Sequence, residues 1–540
     1  MAALVLVAHG VVALSHGGPV AVPDVPSYLS VAQWVAGGLP APEFGYHPGY
    51  GLLLSPFALA GLSPDGLHTA ALLVNGVLAA GAVLLAWSLV RALAPDGPSW
   101  LAPGAAALAA LHPSLTSASR VAWPETLLVV LVLATAFTMV IGTRAPSHPW
   151  WYALGGVLAT IGTAAHPRMA ALGIASLLAV AVVRPGWRAA GAWLAGAVVG
   201  VAATALALVA AYTGPAGGGR LAGAVESAGA GAGLLTTVSG QLAAVGASTA
   251  GLALVGLFET ARRLLTGARR EPLAAGLERD RLVASVVIGA GAVGTMLIAG
   301  ASLAGSDRAD TFAYGRYLDA YTVALAALAL ATLAVRHRQV VTSALIVVAA
   351  ATALVWTSAD LVGRPGMRIM VMGTDPWWRW SEGRLLPALF AGSAVAVVGL
   401  VGWLAVERRP QLVALPLGLA LALGLGATVT SQDHLSTVGF ISSGQATAAA
   451  VVSERGHDVP SCLAHDRTEI ASYVMWLYRM QLPDIEHRRV DLAAGEAPCS
   501  TLVIAHTTSS TLATCPAATL LADEPRGSWG LWEVPDGACT

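Results

Sequence analysis

The side chains that could do chemistry are few and gathered. Between Pro23 and Pro56 lie an acid (Asp24), a helix-like run from Ser27 to Ala36, a second acid (Glu43) and the turn-rich cluster Tyr46-His47-Pro48-Gly49-Tyr50. A carboxylate such as Asp24 can take a proton from a hydroxyl nucleophile within hydrogen-bond reach. The competing reading is structural: Asp24 or Ser27 would cap the free N–H groups of the helix it heads. Glu43 reads as a solvated loop acid. A second set is made of arginines: Arg120, Arg168, Arg220, Arg308, Arg316, Arg364, Arg368, Arg379 and Arg384. A guanidinium fork matches phosphate oxygens, so as a set they suit an anionic lipid phosphate. Singly, each also reads as an interfacial anchor.

Other chemistries lack their signatures. No HExxH, paired CxxC or DxD occurs. The local pairs His465 with Asp466 and Glu486 with His487 have no third ligand in register, so no protein-bound structural metal is expected. A divalent ion (Mg²⁺ or Mn²⁺) bridging substrate phosphates stays open, because Mg²⁺ needs few carboxylates. No Walker loop or GxSxG is present, and GAGAG is composition rather than a dinucleotide fingerprint. An ATP-driven pump and most nucleotide chemistry are excluded. The apolar segments carry almost no acids apart from Glu125 and Glu259 near ends, which counts against a proton- or sodium-coupled transporter.

The elements that must position these residues are membrane helices. The 540 residues are 56% hydrophobic and 11% charged, against about 25% charged in soluble domains. Mean hydropathy is +0.70. The expected class is an all-α polytopic membrane protein. Net charge is −1, so no field points to nucleic acid. The chain has no lysine, and with its Ala, Gly and Val content it resembles the product of a high-GC, actinobacteria-like genome.

Length and apolarity give about thirteen spans, near 1–15, 67–91, 101–117, 125–142, 152–165, 169–183, 190–212, 241–261, 282–304, 317–335, 340–357, 385–406 and 411–431. The first begins at Met1 without a basic n-region, unlike a cleaved signal peptide. It is short, and the true start could lie upstream. With the N-terminus inside, the inner connectors hold Arg91, Arg144, Arg184, Arg188, Arg262, Arg263, Arg269, Arg270, Arg336, Arg338, Arg408 and Arg409, as the positive-inside rule expects. The outer side receives the first loop (16–66), the Gly-rich segment 213–240, the segment 358–384 and the tail. In 358–384, Trp377, Trp378 and Trp380 beside Arg379 read as an aromatic belt, or as a platform for sugar or lipid.

The chain divides into a membrane domain, 1–431, and an extracytoplasmic tail, 432–540. All four cysteines, Cys462, Cys499, Cys515 and Cys539, lie in the tail. That confinement points to disulfides and an oxidising compartment. Of three pairings, Cys462–Cys499 with Cys515–Cys539 is expected. SCLAHD, HRRVDL, STLVIAH and SWGLWEV read as strands and Arg467 to Met480 as a helix, giving a small α/β domain.

The motifs have a family likeness. Asp24 with PSYLSVAQWVAGG, then HPGYGLLLSP, SRVAWPETLLVVLVLA, AAHPRMAALGIASLLAV and YGRYLDAYTVALAALAL, resembles the GT-C superfamily of membrane glycosyltransferases. The similarity is to the branch of the protein O-mannosyltransferase and aminoarabinose-transferase families, and it is scattered over roughly 20–335. It implies a GT-C-like fold and transfer of a sugar from a polyprenyl-phosphate donor to an envelope glycan, lipid or protein at the outer face of a bacterial plasma membrane. It casts Asp24 as general base, Glu125 as an acid at the cavity edge, and Arg168 and Arg316 as ligands of the donor phosphate. His47 and Tyr50 would contact donor or acceptor, and His166, Tyr317 and Arg120 would complete the substrate site. Glu125 also reads as a charge favoured by a helix N-terminus. Many members carry a second acid beside the first-loop Asp; here the neighbours are Pro23 and Val25, which argues against a metal-dependent variant. The alternatives are a transporter or flippase of a lipid-linked saccharide, and a non-catalytic scaffold whose tail binds cell-wall polymer.

Overall fold

The computed structural model describes residues 1–15, 24–37, 47–211, 231–267, 276–303, 315–333, 338–356, 373–438, 447–455, 460–470, 472–482, 484–524 and 528–535. Glu43, Arg220, Arg308, Arg364, Arg368 and Cys539 lie outside the described residues. The helices run α1 (Ala2–Leu14), α2 (Val25–Val35), α3 (Gly49–Leu59), α4 (Pro64–Leu93), α5 (Leu101–Ala110), α6 (Pro113–Ser117), α7 (Glu125–Arg144), α8 (Trp150–Ala165), α9 (Ala170–Val183) and α10 (Trp187–Ala211). They continue with α11 (Gly231–Ser248), α12 (Leu252–Gly267), α13 (Leu277–Leu303), α14 (Gly315–Leu333), α15 (Arg338–Trp356), α16 (Asp375–Trp380), α17 (Leu385–Arg408) and α18 (Ala414–Val438).

Among the described residues, eight helices are long and apolar enough to cross a membrane, and four shorter apolar helices accompany them. The chain is a multi-pass membrane protein. α7 shows the logic: its 20 residues rise about 30 Å, the thickness of a hydrocarbon core. A charge stands at each end, Glu125 in the first turn and Arg144 in the last, each with the sign the helix dipole favours. α14 is the most enclosed of these helices, with 94% of its window buried, and packs against α7 and α12.

Helix boundaries depart from the hydropathy reading in three places. The region 241–261 is two helices, α11 and α12. Ala250 and Gly251 both take positive φ, +49° and +79°, and Gly251 N–H bonds the Gly246 carbonyl at 2.8 Å. This helix-ending turn is invisible to a hydropathy window. The stretch 101–117 is also divided, because His112-Pro113 starts a new helix, α6. The HPGYG turn opens a separate helix, α3, that ends before Pro64 begins α4. Acids within the spans are also less rare than expected: Asp319 lies inside α14 and is 7% exposed.

Helix α18 runs through position 431 to Val438. Beyond it come α19 (Thr447–Glu454), β1 (Cys462–Asp466), α20 (Ser472–Gln481), β2 (Glu486–Val490), β3 (Leu502–His506), α21 (Ser510–Ala513), β4 (Thr519–Asp523) and β5 (Trp529–Glu533). The sheet order is β2-β1-β3-β5-β4. β1 pairs in parallel with β2 and β3, while β5 runs antiparallel to both β3 and β4. The helix starts later than the sequence reading has it, and β4, an exposed edge strand, is absent from that reading. Cys462 and Cys499 form a disulfide. Cys515 is also disulfide-bonded. The expected Cys515–Cys539 pairing involves a residue outside the described ones. The tail is seated on the membrane domain: α20 packs on α2, the helix that follows Asp24.

Candidate active site

Four helix beginnings meet at one end of the bundle. Asp24 precedes α2, Glu125 opens α7, Arg168 lies in a short 3₁₀ turn (Pro167–Met169) before α9, and Arg316 is in the first turn of α14. Proline sets two of these starts: Pro124 heads α7 and Pro167 opens the 3₁₀ turn. The positive ends of helix dipoles therefore converge where the acids sit.

Arg316 is the hub. Its Nη1 donates to Asp24 Oδ2 at 2.6 Å and its Nε to Glu125 Oε1 at 2.6 Å. Its Cζ lies 4.4 Å from the ring centroid of Trp123. Arg168 Nη2 donates to the same Glu125 oxygen at 3.4 Å, and Arg168 Cζ lies 4.8 Å from the Tyr317 ring centroid. Asp24 occupies the helix-capping position, but its side chain makes no capping bond. The carboxylate is spent on Arg316. Glu125 is a first-turn acid, as its helix-terminal reading has it, and it also pairs with both arginines.

Side-chain exposure falls from 18% at Asp24 to 6% at Arg316, 2% at Arg168 and 1% at Glu125. Solvent therefore reaches the cluster from the Asp24 side. Deep in it, valences stay open: Arg168 Nε and Nη1 and Glu125 Oε2 are buried without a hydrogen-bond partner. Each such group costs roughly 1–3 kcal/mol or more, so the arrangement lacks the partner that would satisfy it.

The histidines and tyrosines form a wall beside Arg168. His47 Nδ1 donates to the Thr163 carbonyl. The His47 and His166 rings are stacked with centroids 6.5 Å apart, and His166 meets Tyr317 edge-on at 5.6 Å. The HPGYG turn brings α3 against α8 and α2. A Cβ on Gly49 would lie 2.7 Å from the Ala164 carbonyl carbon, and one on Gly51 2.5 Å from the Tyr28 carbonyl oxygen. Only glycine permits both approaches. Tyr50 lies below the wall: it is fully buried, and its hydroxyl donates to Asn75 Oδ1 at 3.0 Å. Asn75 in turn donates to the Ala118 and Val121 carbonyls. Arg120 donates to Gln432 on α18 and ties that helix to the segment after α6.

Of the residues singled out from the sequence, Asp24, Glu125, Arg168 and Arg316 come together, with Tyr317, His166 and His47 alongside. Tyr50 and Arg120 make structural hydrogen bonds. The sequence reading missed Trp123, under Arg316, and Asp319, one turn along α14. Their signals were present: Trp123 lies two residues before Glu125, and Asp319 stands three after Arg316, hence on its face. Among the described residues, no three His, Cys, Asp or Glu side chains are grouped to hold a metal ion.

No protein-family model and no curated protein matches the sequence. Solved structures do resemble the fold. The crystal structure of ArnT from Cupriavidus metallidurans in the apo state matches with a TM-score of 0.53 at 15% identity, over 98% of this chain and 96% of that one. The cryo-EM structure of the arabinosyltransferase EmbB from Mycobacterium smegmatis has a TM-score of 0.45 at 15% identity, over 84% of this chain and 42% of that one. The ArnT likeness runs the whole length of both chains. It shows a shared fold.

Proposed function

We propose that the protein is a membrane glycosyltransferase that moves a sugar from a polyprenyl-phosphate donor to a hydroxyl acceptor, with the site and tail on the extracytoplasmic face. The observation that carries this reading is the pair of N–H groups on buried Arg168 that have no partner among the described residues, next to Glu125 and to Arg316, which itself holds Asp24. A phosphate supplies the acceptors those groups lack. The GT-C fold, and the positive helix ends at the site, support the same reading.

The chemistry follows from the charges. The acceptor oxygen attacks the anomeric carbon as the carbon–oxygen bond to phosphate breaks, with inversion. Asp24 takes the hydroxyl proton, and the polyprenyl phosphate leaves with an added negative charge that Arg168 and Arg316 stabilise. Arg316 holds Asp24 Oδ2 at rest. Transfer of its guanidinium to the arriving phosphate would free that oxygen for the acceptor. In this scheme the two guanidiniums carry the charge stabilisation that a divalent ion would otherwise supply.

The test is turnover by purified protein against a panel of polyprenyl-phosphate sugars with glycan, lipid and protein acceptors. Release of polyprenyl phosphate with a glycosylated product is expected for one pairing. Vectorial movement of an intact lipid-linked saccharide without transfer would replace this reading by a flippase, and binding of cell-wall polymer alone by a scaffold.

A further inference from the structure

A buried carboxylate stands beside the cluster with nothing bonded to it. Asp319 lies one helical turn beyond Arg316, so the two share a face of α14. It is 7% exposed, and among the described residues it makes no hydrogen bond or ion pair. It interacts electrostatically with Glu125, Arg168 and Arg316. An acid inside a spanning helix with no partner is costly, and such groups as a rule serve function.

Charge counting says what it could serve. Asp24, Glu125 and Asp319 oppose Arg168 and Arg316. An arriving phosphodiester adds another negative charge in a site from which water is largely excluded, where like charges repel strongly. One acid must then give up its charge. Asp24 and Glu125 each accept a guanidinium hydrogen bond from Arg316; Asp319 accepts none among the described residues. We propose that Asp319 takes up a proton when the donor phosphate binds and releases it when the phosphate leaves, making anion binding at this site proton-coupled. The proton comes from solvent and ends on the Asp319 carboxylate, and no bond of the donor breaks in this step. The inference rests on the phosphosugar reading above.

The other titratable groups around this part of α14 are His68, Glu125 and Asp24, with His47 and His166 in the wall beside Arg168. Of the elements packed on α14, α5 and α11 carry no titratable side chain, and in α13 all of them lie between Leu277 and Arg281. α12 places Glu259, Arg262 and Arg263 toward the opposite end of the bundle. α4 contributes His68 at the near end and α7 contributes Glu125, with Arg168 preceding α9 and Asp24 beyond Arg316.

The test is calorimetric titration of the full-length protein in detergent with farnesyl methyl phosphodiester, whose single charge is constant near neutral pH. Paired buffers of different ionisation enthalpy report proton uptake. Wild type should take up close to one proton per site at mildly alkaline pH, and its Kd should rise about tenfold per pH unit there. Asp319→Asn should bind without uptake and without that slope. Wild-type binding with no uptake overturns the inference and leaves the phosphosugar reading standing. So does an unchanged slope in Asp319→Asn. Failure of wild type to bind the diester at any pH overturns both.

Discussion

The two ends of the helix bundle hold charge clusters built from the same residue types, and they differ in how completely the charges are answered. At the end away from the tail, Glu259 binds Arg262 through both oxygens, at 2.6 and 2.8 Å, and also pairs with Arg263. Glu278 bridges Arg263 at 2.7 Å and Arg281 at 3.0 Å. Asp280 takes Arg144 at 2.7 Å and the Thr143 hydroxyl. Arg281 Nε also donates to the Leu93 carbonyl at 2.8 Å. Each carboxylate oxygen there has a partner, although Arg279 Nε is buried without one among the described residues, and the network ties the ends of α4, α7, α12 and α13. At the Asp24 end, among the described residues, Arg168 keeps two unpartnered N–H groups and Glu125 an unpartnered oxygen, and Asp319 makes no hydrogen bond or ion pair. A saturated network fixes structure. One that is more deeply buried and keeps open valences is shaped for something that arrives.

Substitutions should separate the two ends. The largest effect is expected from Asp24→Asn, which removes the base and should lower transfer by about 10²–10⁴-fold with thermal unfolding unchanged. Full activity in this variant would end the assignment. Next is Arg168→Lys, which keeps the charge and loses the planar fork. Transfer should fall by roughly 10²-fold or more, again without loss of fold.

Glu259→Gln, at the saturated end, should do the reverse. It removes the buried charge shared by Arg262 and Arg263, leaves Arg263 its pair with Glu278, and should cost roughly 1–3 kcal/mol of stability, while the surviving folded protein turns over normally. Loss of turnover at full stability would collapse the distinction between the ends.

A smaller effect is expected in the tail, where His465 and His487 are buried together, His465 Nε2 lying 3.0 Å from His487 Nδ1. Burial pushes His487 down to about 4, and His465, with its charged neighbours, well below the ordinary 6.5. The unfolded chain binds these protons first. The stability tied to the neutral pair is therefore present above about pH 6.5 and lost as pH falls toward 4. Glu524, pushed up to about 7 by burial, titrates in the opposite sense. In a Glu524→Gln background, hydrogen-exchange protection of β1 and β2 should therefore decline over that acid range, and flat protection would contradict a neutral pair. The smallest effect belongs to Arg379→Ala. Its pair with Asp433 is 56% and 52% exposed, and its loss should shift stability by less than about 0.5 kcal/mol.

Sequence and structure agree most where charge breaks a pattern. Arg168 and Arg316 stand out because they violate the basic-connector rule, and Asp24 and Glu125 because acids are scarce near spans. Asp319 is hidden by its company: one carboxylate among alanines and leucines hardly lowers the hydropathy of α14, and only its spacing from Arg316 marks it. The break between α11 and α12 is hidden because it is made by backbone angles at Ala250 and Gly251, and Ala250 has no turn-forming signature. β4 is hidden because it is an edge strand that stays mostly exposed, whereas β1 and β3 are buried along nearly their whole length. Tyr50 and Arg120 carry bonds within the protein that the sequence does not show. Both lie in motifs that carry the family likeness, yet the hydroxyl and the guanidinium are used within the protein. Local sequence does not reveal such a partner 25 residues away for Tyr50, or 312 away for Arg120.

The most direct measurement is a structure of the protein with a polyprenyl phosphate bound. The account predicts phosphate oxygens about 2.7–3.1 Å from Arg168 Nε and Nη1, with Arg316 turned from Asp24 Oδ2 toward the phosphate. A phosphate bound elsewhere, with Arg168 still unpartnered and the Arg316–Asp24 pair intact, would contradict it.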